Sequence, residues 1–356
     1  MRLIRILAIN LAVFIAIGVA LEGLASVALV GRRFAERRWP ASSVNDDYLT
    51  LPMFRNDSTA REYWDEFRRS SLQQYTDYVG WRRRDFAGRY INVVGGYRVT
   101  PGTAPNGPIF GVFGGSTIWG TGVADADTIP AEIAHAVRDA YRVQNFGEAG
   151  FNVFQDYIEF YQSIRAAHAP TVAVFYDGIN DTYASCVNPG RTGATLEYAR
   201  MKEKIEYRKA SELRLGDVAE VVSQALFPQA SPSRYRCDDD RQAQEVASAM
   251  VKTWRSIQDL GERAGTRTYF FLQPVAFVGS SDVGYLRLNE AARSSYQRVY
   301  AHIAEEVRVQ GLRRFQDLSS VLSDGGQHFI DFAHLRAEAN HRIGAAIVRV
   351  VEADAH

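Results

Sequence analysis

Only two cysteines occur in 356 residues, and neither belongs to a CxxC pair or a His/Cys cluster. The usual thiolate metal sites are therefore not expected. Charge of one sign is not in excess either. Lys+Arg and Asp+Glu both total 41, so no net field draws the chain to a polyanion, and nucleic acid is not expected as a partner. No internal repeat or low-complexity tract is present. The glycines at 114–115 are not followed by the Lys of a phosphate-cradling P-loop, and no GxGxxG fits around Gly120-Thr121-Gly122. A Gly-x-Ser-x-Gly elbow is missing as well, because the residue two after Ser116 is Ile118, which disfavours the α/β-hydrolase fold.

What is present is an ordinary globular composition, 46% hydrophobic and 23% charged, long enough to bury a sizeable core. The first 31 residues stand apart. Ile6 to Leu21 carries no charge, and after Glu22 a second apolar stretch runs from Gly23 to Val30. At about 1.5 Å per residue this suffices for a helix crossing roughly 30 Å of hydrocarbon, so residues 1–31 read as a transmembrane anchor. A cleaved signal peptide is the rival, with Ser26-Val27-Ala28 as a processing site, but the run exceeds the usual h-region of about 7–15 residues. Arg32, Arg33, Arg37 and Arg38 follow the apolar run, and the positive-inside rule alone would place the large domain in the cytoplasm. Long domains translocate largely regardless of such charges.

Residues 32–105 are rich in Arg, Tyr and Trp and read as a linker and N-terminal elaboration. Their aromatics (Tyr63, Trp64, Tyr75, Tyr78, Trp81, Tyr90) are expected to pack on the main domain. From residue 106 strands alternate with helices. Strands are expected at 108–113, 141–146, 171–176, 268–272 and 312–315; helices at 128–142, 154–167, 241–264, 284–309 and 336–351. An insertion at 184–240 interrupts the rhythm with helical stretches near 194–212 and 217–227. Alternating strands and helices imply a parallel sheet covered on both faces, with ligands at the carboxyl ends of its strands.

Those strand ends carry unusual polar sequences. The first runs into Gly114-Gly115-Ser116-Thr117, the second into Asn145-Phe146-Gly147-Glu148-Ala149-Gly150, the third into Asp177-Gly178-Ile179-Asn180-Asp181. A fourth segment, Asp331-Phe332-Ala333-His334, precedes the last helix. A nucleophilic serine needs an exposed turn, a base in hydrogen-bond reach and donors for the developing oxyanion. Ser116 has the turn, although a serine in an ordinary Gly-rich loop looks the same. Of seven histidines, only His334 has an acid three residues before it on an expected loop; His328 is the rival base. Trp119, three residues past Ser116, and Gln273, at the end of the fourth strand, are candidates for the substrate pocket or for plain packing. Cys186 and Cys237 either form one disulfide or are two unrelated thiols.

The four segments, in this order, resemble the four blocks of SGNH (GDSL-like) hydrolases. The resemblance covers about residues 108–183 and 267–352. Gly115 stands where that family usually has Asp; Asn145 and Gly150 match its second block, Gly178, Asn180 and Asp181 its third, Asp331 and His334 its fourth. The resemblance implies an α/β fold, a three-layer flavodoxin-like sandwich with a parallel five-stranded sheet, and a hydrolase domain over 106–356. It also implies roles: Ser116 as nucleophile, His334 as general base, Asp331 as its orienting carboxylate. The oxyanion would meet the N–H groups of Ser116 and Gly150 and the amide of Asn180. No cofactor or metal is implied. The expected function is a serine esterase acting on an ester of a carbohydrate or lipid-linked substrate, membrane-anchored with its catalytic domain on the extracytoplasmic, periplasmic side. An O-acyltransferase to an envelope polysaccharide and an inactive SGNH scaffold are the alternatives.

Overall fold

A computed structural model describes residues 2, 5–7, 9–21, 23, 47–187, 191–196, 201 and 236–354. Among the described residues no helix is long and apolar enough to cross a membrane; the spanning helix expected over 1–31 lies partly outside the described residues. Residues 24–46 and the helices expected near 194–212 and 217–227 lie largely outside the described residues.

Residues 48–105 are not a bare linker. Helix α1 (Ala60–Arg69) buries Ala60, Tyr63 and Trp64, the spacing of a helix with one inward face. Its Glu66 carboxylate accepts the backbone N–H groups of Arg89, Tyr90 and Ile91 at 2.7–3.0 Å, tying helix to loop. Strands β1 (Gln73–Thr76) and β2 (Gly80–Arg83) form an antiparallel pair; β3 (Phe86–Ala87), β4 (Asn92–Val94) and β5 (Tyr97–Arg98) form a small antiparallel sheet. Tyr63, Trp64, Ile91 and Val93 pack in one cluster with Trp119 and Ile330, so this layer is seated on the following domain. Of the other aromatics expected to pack, Tyr75 and Tyr78 are exposed.

The main sheet contains β6 (Ile109–Gly114), β7 (Arg142–Asn145), β8 (Val172–Asp177), β9 (Arg267–Leu272) and β10 (Phe315–Asp317). Their order is β10-β9-β8-β6-β7, and every neighbouring pair is parallel. The first strand in sequence thus lies between the second and third, and the chain reverses its winding there, at the kind of switch point where ligands gather. The helices in chain order are α2 (Ser116–Trp119), α3 (Ile129–Val137), α4 (Val153–Arg165), α5 (Ile179–Val187), α6 (Asp240–Ala264), α7 (Glu290–Gln310) and α8 (Ala337–Ala353).

Alternation along the buried strands explains their unbroken apolar sequence, since both faces are covered. Phe110, Val112, Val174, Tyr269 and Phe271 point to one side, where residues of α3 and α8 such as Ile133 and Ile347 meet them. Phe113, Phe175 and Phe270 point to the other, against Phe160 of α4, Trp254 of α6 and Val299 of α7.

Three boundaries differ from the sequence reading. The helix expected at 128–142 ends at Val137, because Arg138 takes φ +49 and breaks the run. The helix expected from 284 starts at Glu290, where the Asn289 side chain caps the Ala291 N–H at 3.1 Å. The last strand is shifted from 312–315 to Phe315–Asp317, after a left-handed cap at Gly311 and a positive φ at Arg314.

Candidate active site

Gly114 ends β6 at φ +152, and a Cβ there would lie 2.7 Å from the carbonyl of Tyr176 on the neighbouring strand. Only glycine lets the chain leave the sheet this closely and place Ser116 at the first position of α2. The far side of that turn is held by Arg98, whose buried guanidinium donates to the carbonyls of Trp119, Gly120 and Val123 and pairs with Asp125 at 2.7 Å. Nothing in the sequence marked Arg98. A buried arginine in a short strand has no local signature, and its partners are backbone carbonyls more than twenty residues away.

His334 arrives on the loop before α8. An isolated bridge between Phe329 and Leu335 and the Ile330 N–H to His334 carbonyl bond, 2.9 Å, fold 329–335 into a tight turn. Within it Asp331 Oδ1 accepts the N–H groups of Ala333 and His334 at 2.8 and 2.7 Å. Asp331 Oδ2 lies 2.6 Å from His334 Nδ1, and His334 Nε2 lies 2.7 Å from Ser116 Oγ. The structure therefore brings Ser116, His334 and Asp331 into one hydrogen-bonded line. Burial by itself would raise the Asp331 carboxyl, but the facing His334 ring and the two backbone N–H donors hold it well below the usual carboxylate range. It is charged wherever the protein is folded near neutral pH, and so fit to orient an imidazole and stabilise an imidazolium. One further donor reaches Asp331: the Tyr48 hydroxyl, at 2.8 Å from Oδ2.

Around this line stand the other two strand-end segments. Gly150 takes φ +83, and Asn180 Nδ2 donates to the Phe151 carbonyl at 2.6 Å. A Cβ on Gly115 would approach Asn180 Nδ2 to 2.3 Å, so the amide lies against the residue preceding Ser116. Asn145 is structural: its amide donates to the Ile118 carbonyl and its oxygen accepts the Gly147 N–H, both at 2.9 Å. The start of the insertion lies over this corner. Ala194 accepts from Asn152 at 3.1 Å, and a Cβ on Gly150 would meet Leu196 at 3.3 Å.

Trp119 and Gln273 do not line an open pocket. Trp119 is fully buried between the guanidinium groups of Arg83 and Arg98, at 3.6 and 4.4 Å from its ring, with Phe67 edge-on at 6.0 Å. Gln273 is buried with its amide 3.4 Å from Thr117 Oγ1. Both belong to the packing around the turn that carries Ser116. His328, the rival base, pairs with Asp324 at 2.6 Å instead. Cys186 and Cys237 are bonded, closing a loop with a sequence separation of 51.

Beneath Asn180 three carboxyls are buried together: Asp156 of α4, Asp177 at the end of β8 and Asp181 of α5. Asp177 accepts from the Trp254 indole at 2.9 Å and Asp181 from the Val153 N–H at 3.2 Å. Asp156 lies beside Asp177, whose charge adds to burial in keeping its carboxyl protonated. Burial raises all three, Asp177 to about 6 and Asp181 to about 8, the latter pushed further by the Asp177 charge. Among the described residues no group of three His, Cys, Asp or Glu side chains is disposed to hold a metal ion.

No protein-family model and no curated protein matches this sequence. Solved structures do. The chain is similar to a carbohydrate acetylesterase family member from Sinorhizobium meliloti, with 16% identity and TM-score 0.41 over 68% of this chain and 97% of that one. It is similar to a GDSL-like lipase from Bacteroides thetaiotaomicron, with 13% identity and TM-score 0.40 over 69% and 88% of the two chains. It is also similar to a lipolytic protein of the G-D-S-L family from Veillonella parvula, with 13% identity and TM-score 0.38 over 69% and 98%.

Proposed function

We propose that this chain is a serine esterase of the SGNH (GDSL-like) type, with 106–356 as its hydrolase domain, 184–240 as an insertion in it and 32–105 as an elaboration. The observation that carries the proposal is the unbroken contact from Ser116 Oγ through His334 to Asp331, at 2.7 and 2.6 Å. Ser116 attacks the ester carbonyl while His334 Nε2 takes its proton and later returns it to the departing alcohol. Asp331, held ionised, keeps Nδ1 protonated and faces the positive charge that forms on the ring. The Ser116 N–H, at the first helical position with no intrahelical acceptor, the Gly150 N–H and the Asn180 amide receive the oxyanion.

The substrate is an O-acyl or O-acetyl ester on a carbohydrate or a lipid-linked sugar. Exposed Leu11, Phe14, Ile15, Ile17 and Leu21 in the N-terminal helical run support contact with a lipid surface. The Cys186–Cys237 bond supports an oxidising, extracytoplasmic compartment such as the periplasm.

An ester panel run on wild type beside Ser116→Ala tests the proposal. Hydrolysis that falls by at least about 10³-fold in the variant is expected. Undiminished turnover by Ser116→Ala would refute it. Acyl transfer to a sugar hydroxyl is a second reading, favoured by Leu196 lying over Gly150, since a covered acyl-enzyme meets less water. Free acid as product marks the hydrolase, a new sugar ester the transferase.

A further inference from the structure

We infer that Tyr48 is a positioning residue for the catalytic carboxylate, acting through Asp331 although it stands 283 residues away in sequence. The inference rests on the serine-esterase reading above and adds a fourth member to its line of contacts. Asp331 has two oxygens with room for two donors each. Oδ1 is filled by the N–H groups of Ala333 and His334, and Oδ2 by His334 Nδ1 and the Tyr48 hydroxyl. Without the hydroxyl, Oδ2 keeps one donor, and rotation of the carboxylate about its own bond is restrained from one edge only. The imidazole plane follows that carboxylate, and with it the aim of Nε2 at Ser116.

The hydroxyl is itself held. The Tyr48 ring stacks on Trp64 at 4.2 Å and 4°. Trp64 is buried and boxed by Phe54, Tyr63 and Phe67, with ring centroids 5.1–5.9 Å away. Phe67 then meets Trp119 edge-on, three residues past the nucleophile, and the Tyr63 hydroxyl accepts the Gly122 N–H at 2.9 Å. One aromatic block in the N-terminal layer therefore touches the acid end of the line and the turn that carries its nucleophile. A stacked tyrosine has few rotamers left to lose, so a single hydroxyl can fix the carboxylate with little further ordering.

Tyr48→Phe in the full chain keeps the ring and its stacking and removes only the donor. The rate of Ser116 labelling by a fluorophosphonate, measured from pH 5 to 9, is the readout. We expect labelling to slow about tenfold at neutral pH, the usual scale for one lost bond to a charged group. The acid limb of the profile should move to higher pH, because a carboxylate stripped of one donor favours the protonated ring more strongly. In an Asp331→Asn background Tyr48→Phe should add no further loss, as expected of a residue acting through Asp331. If wild type is labelled at Ser116 and Tyr48→Phe matches it in rate and profile, the positioning role is overturned and the esterase reading stands. If wild type itself is not labelled at Ser116, both fall.

Discussion

Gly115 and Asn180 stand so close that a single methyl group on the former would lie 2.3 Å from the amide nitrogen of the latter. The backbone at Gly115 is extended, at φ −79 and ψ −153, so the need for glycine is one of space and not of dihedral angle. The SGNH pattern usually has Asp at this position. Here that side chain would evict the amide that is proposed to receive the oxyanion. Gly115→Ala is expected to lower kcat by about 10²-fold with the fold intact, the usual effect of removing one oxyanion donor. Gly115→Asp should be no better. Steady-state kinetics beside a circular dichroism spectrum checks both, and full activity in Gly115→Asp would show that Asn180 is not needed.

The buried carboxyls Asp156, Asp177 and Asp181 make stability fall as pH rises. Unfolded aspartates ionise near pH 3.9, whereas in the fold Asp177 holds its proton to about pH 6 and Asp181 to about pH 8. Their contribution is complete below about pH 4 and is lost progressively as pH rises through those two values. Asp331 works in the other direction and in another window, since its depressed carboxyl costs stability only on strong acidification. Asp181→Asn, which can still accept the Val153 N–H, should raise the urea midpoint more at pH 8 than at pH 5. An equal shift at both values would show that Asp181 is not protonated in the fold. The cation near the cluster is Arg82, which is paired with Glu159 at 3.0 Å.

Arg98 should be costly to change. Its side chain is fully buried, and substitution by Met strands Oδ1 of Asp125, whose Oδ2 still accepts from Asn92, and three carbonyls around the Ser116 turn. Breaking a buried pair by removing one partner typically costs about 3–5 kcal/mol. Arg98→Lys keeps the charge but not the fork, and should recover only part of that loss. Chemical denaturation gives the measure; a cost under about 1 kcal/mol for Arg98→Met would mean that the turn stands without it.

Reducing the Cys186–Cys237 bond removes a cross-link that closes a loop of 51 residues. The chain-entropy account puts its worth at about 4 kcal/mol. Cys186→Ser/Cys237→Ser is therefore expected to lower stability by about that amount while leaving kcat within a few-fold, because neither sulfur touches the Ser116 line. Thiol titration before and after reduction reports the bond directly.

How much of this was legible beforehand follows from how local each signal is. Strands β6 and β8 announce themselves as short apolar runs closed by glycine, and the Asp331-x-x-His334 spacing fits a turn in which one carboxylate oxygen meets two following N–H groups. Tyr48 and Arg98 had no such mark. Each does its work on partners that become neighbours only after the N-terminal layer is seated on the sheet, and an Arg- and Tyr-rich stretch looks like any solvated linker until then. Trp119 could be read either way from sequence, as a pocket wall or as packing, because closeness to Ser116 in the chain does not say which way a ring turns; a four-residue helix turns it inward against two arginines.

The cystine also sits between the two parts of the chain that supply the Ser116–His334–Asp331 line. Ser116 is contributed before Cys186, and Asp331 and His334 after Cys237. A protease that nicks the backbone anywhere from 187 to 236 would leave two fragments, one with Ser116 and one with Asp331 and His334, still joined to each other by sulfur. Covalent separation would then need a reductant as well as a cut, so scission is better tolerated in an oxidising milieu than in a reducing one.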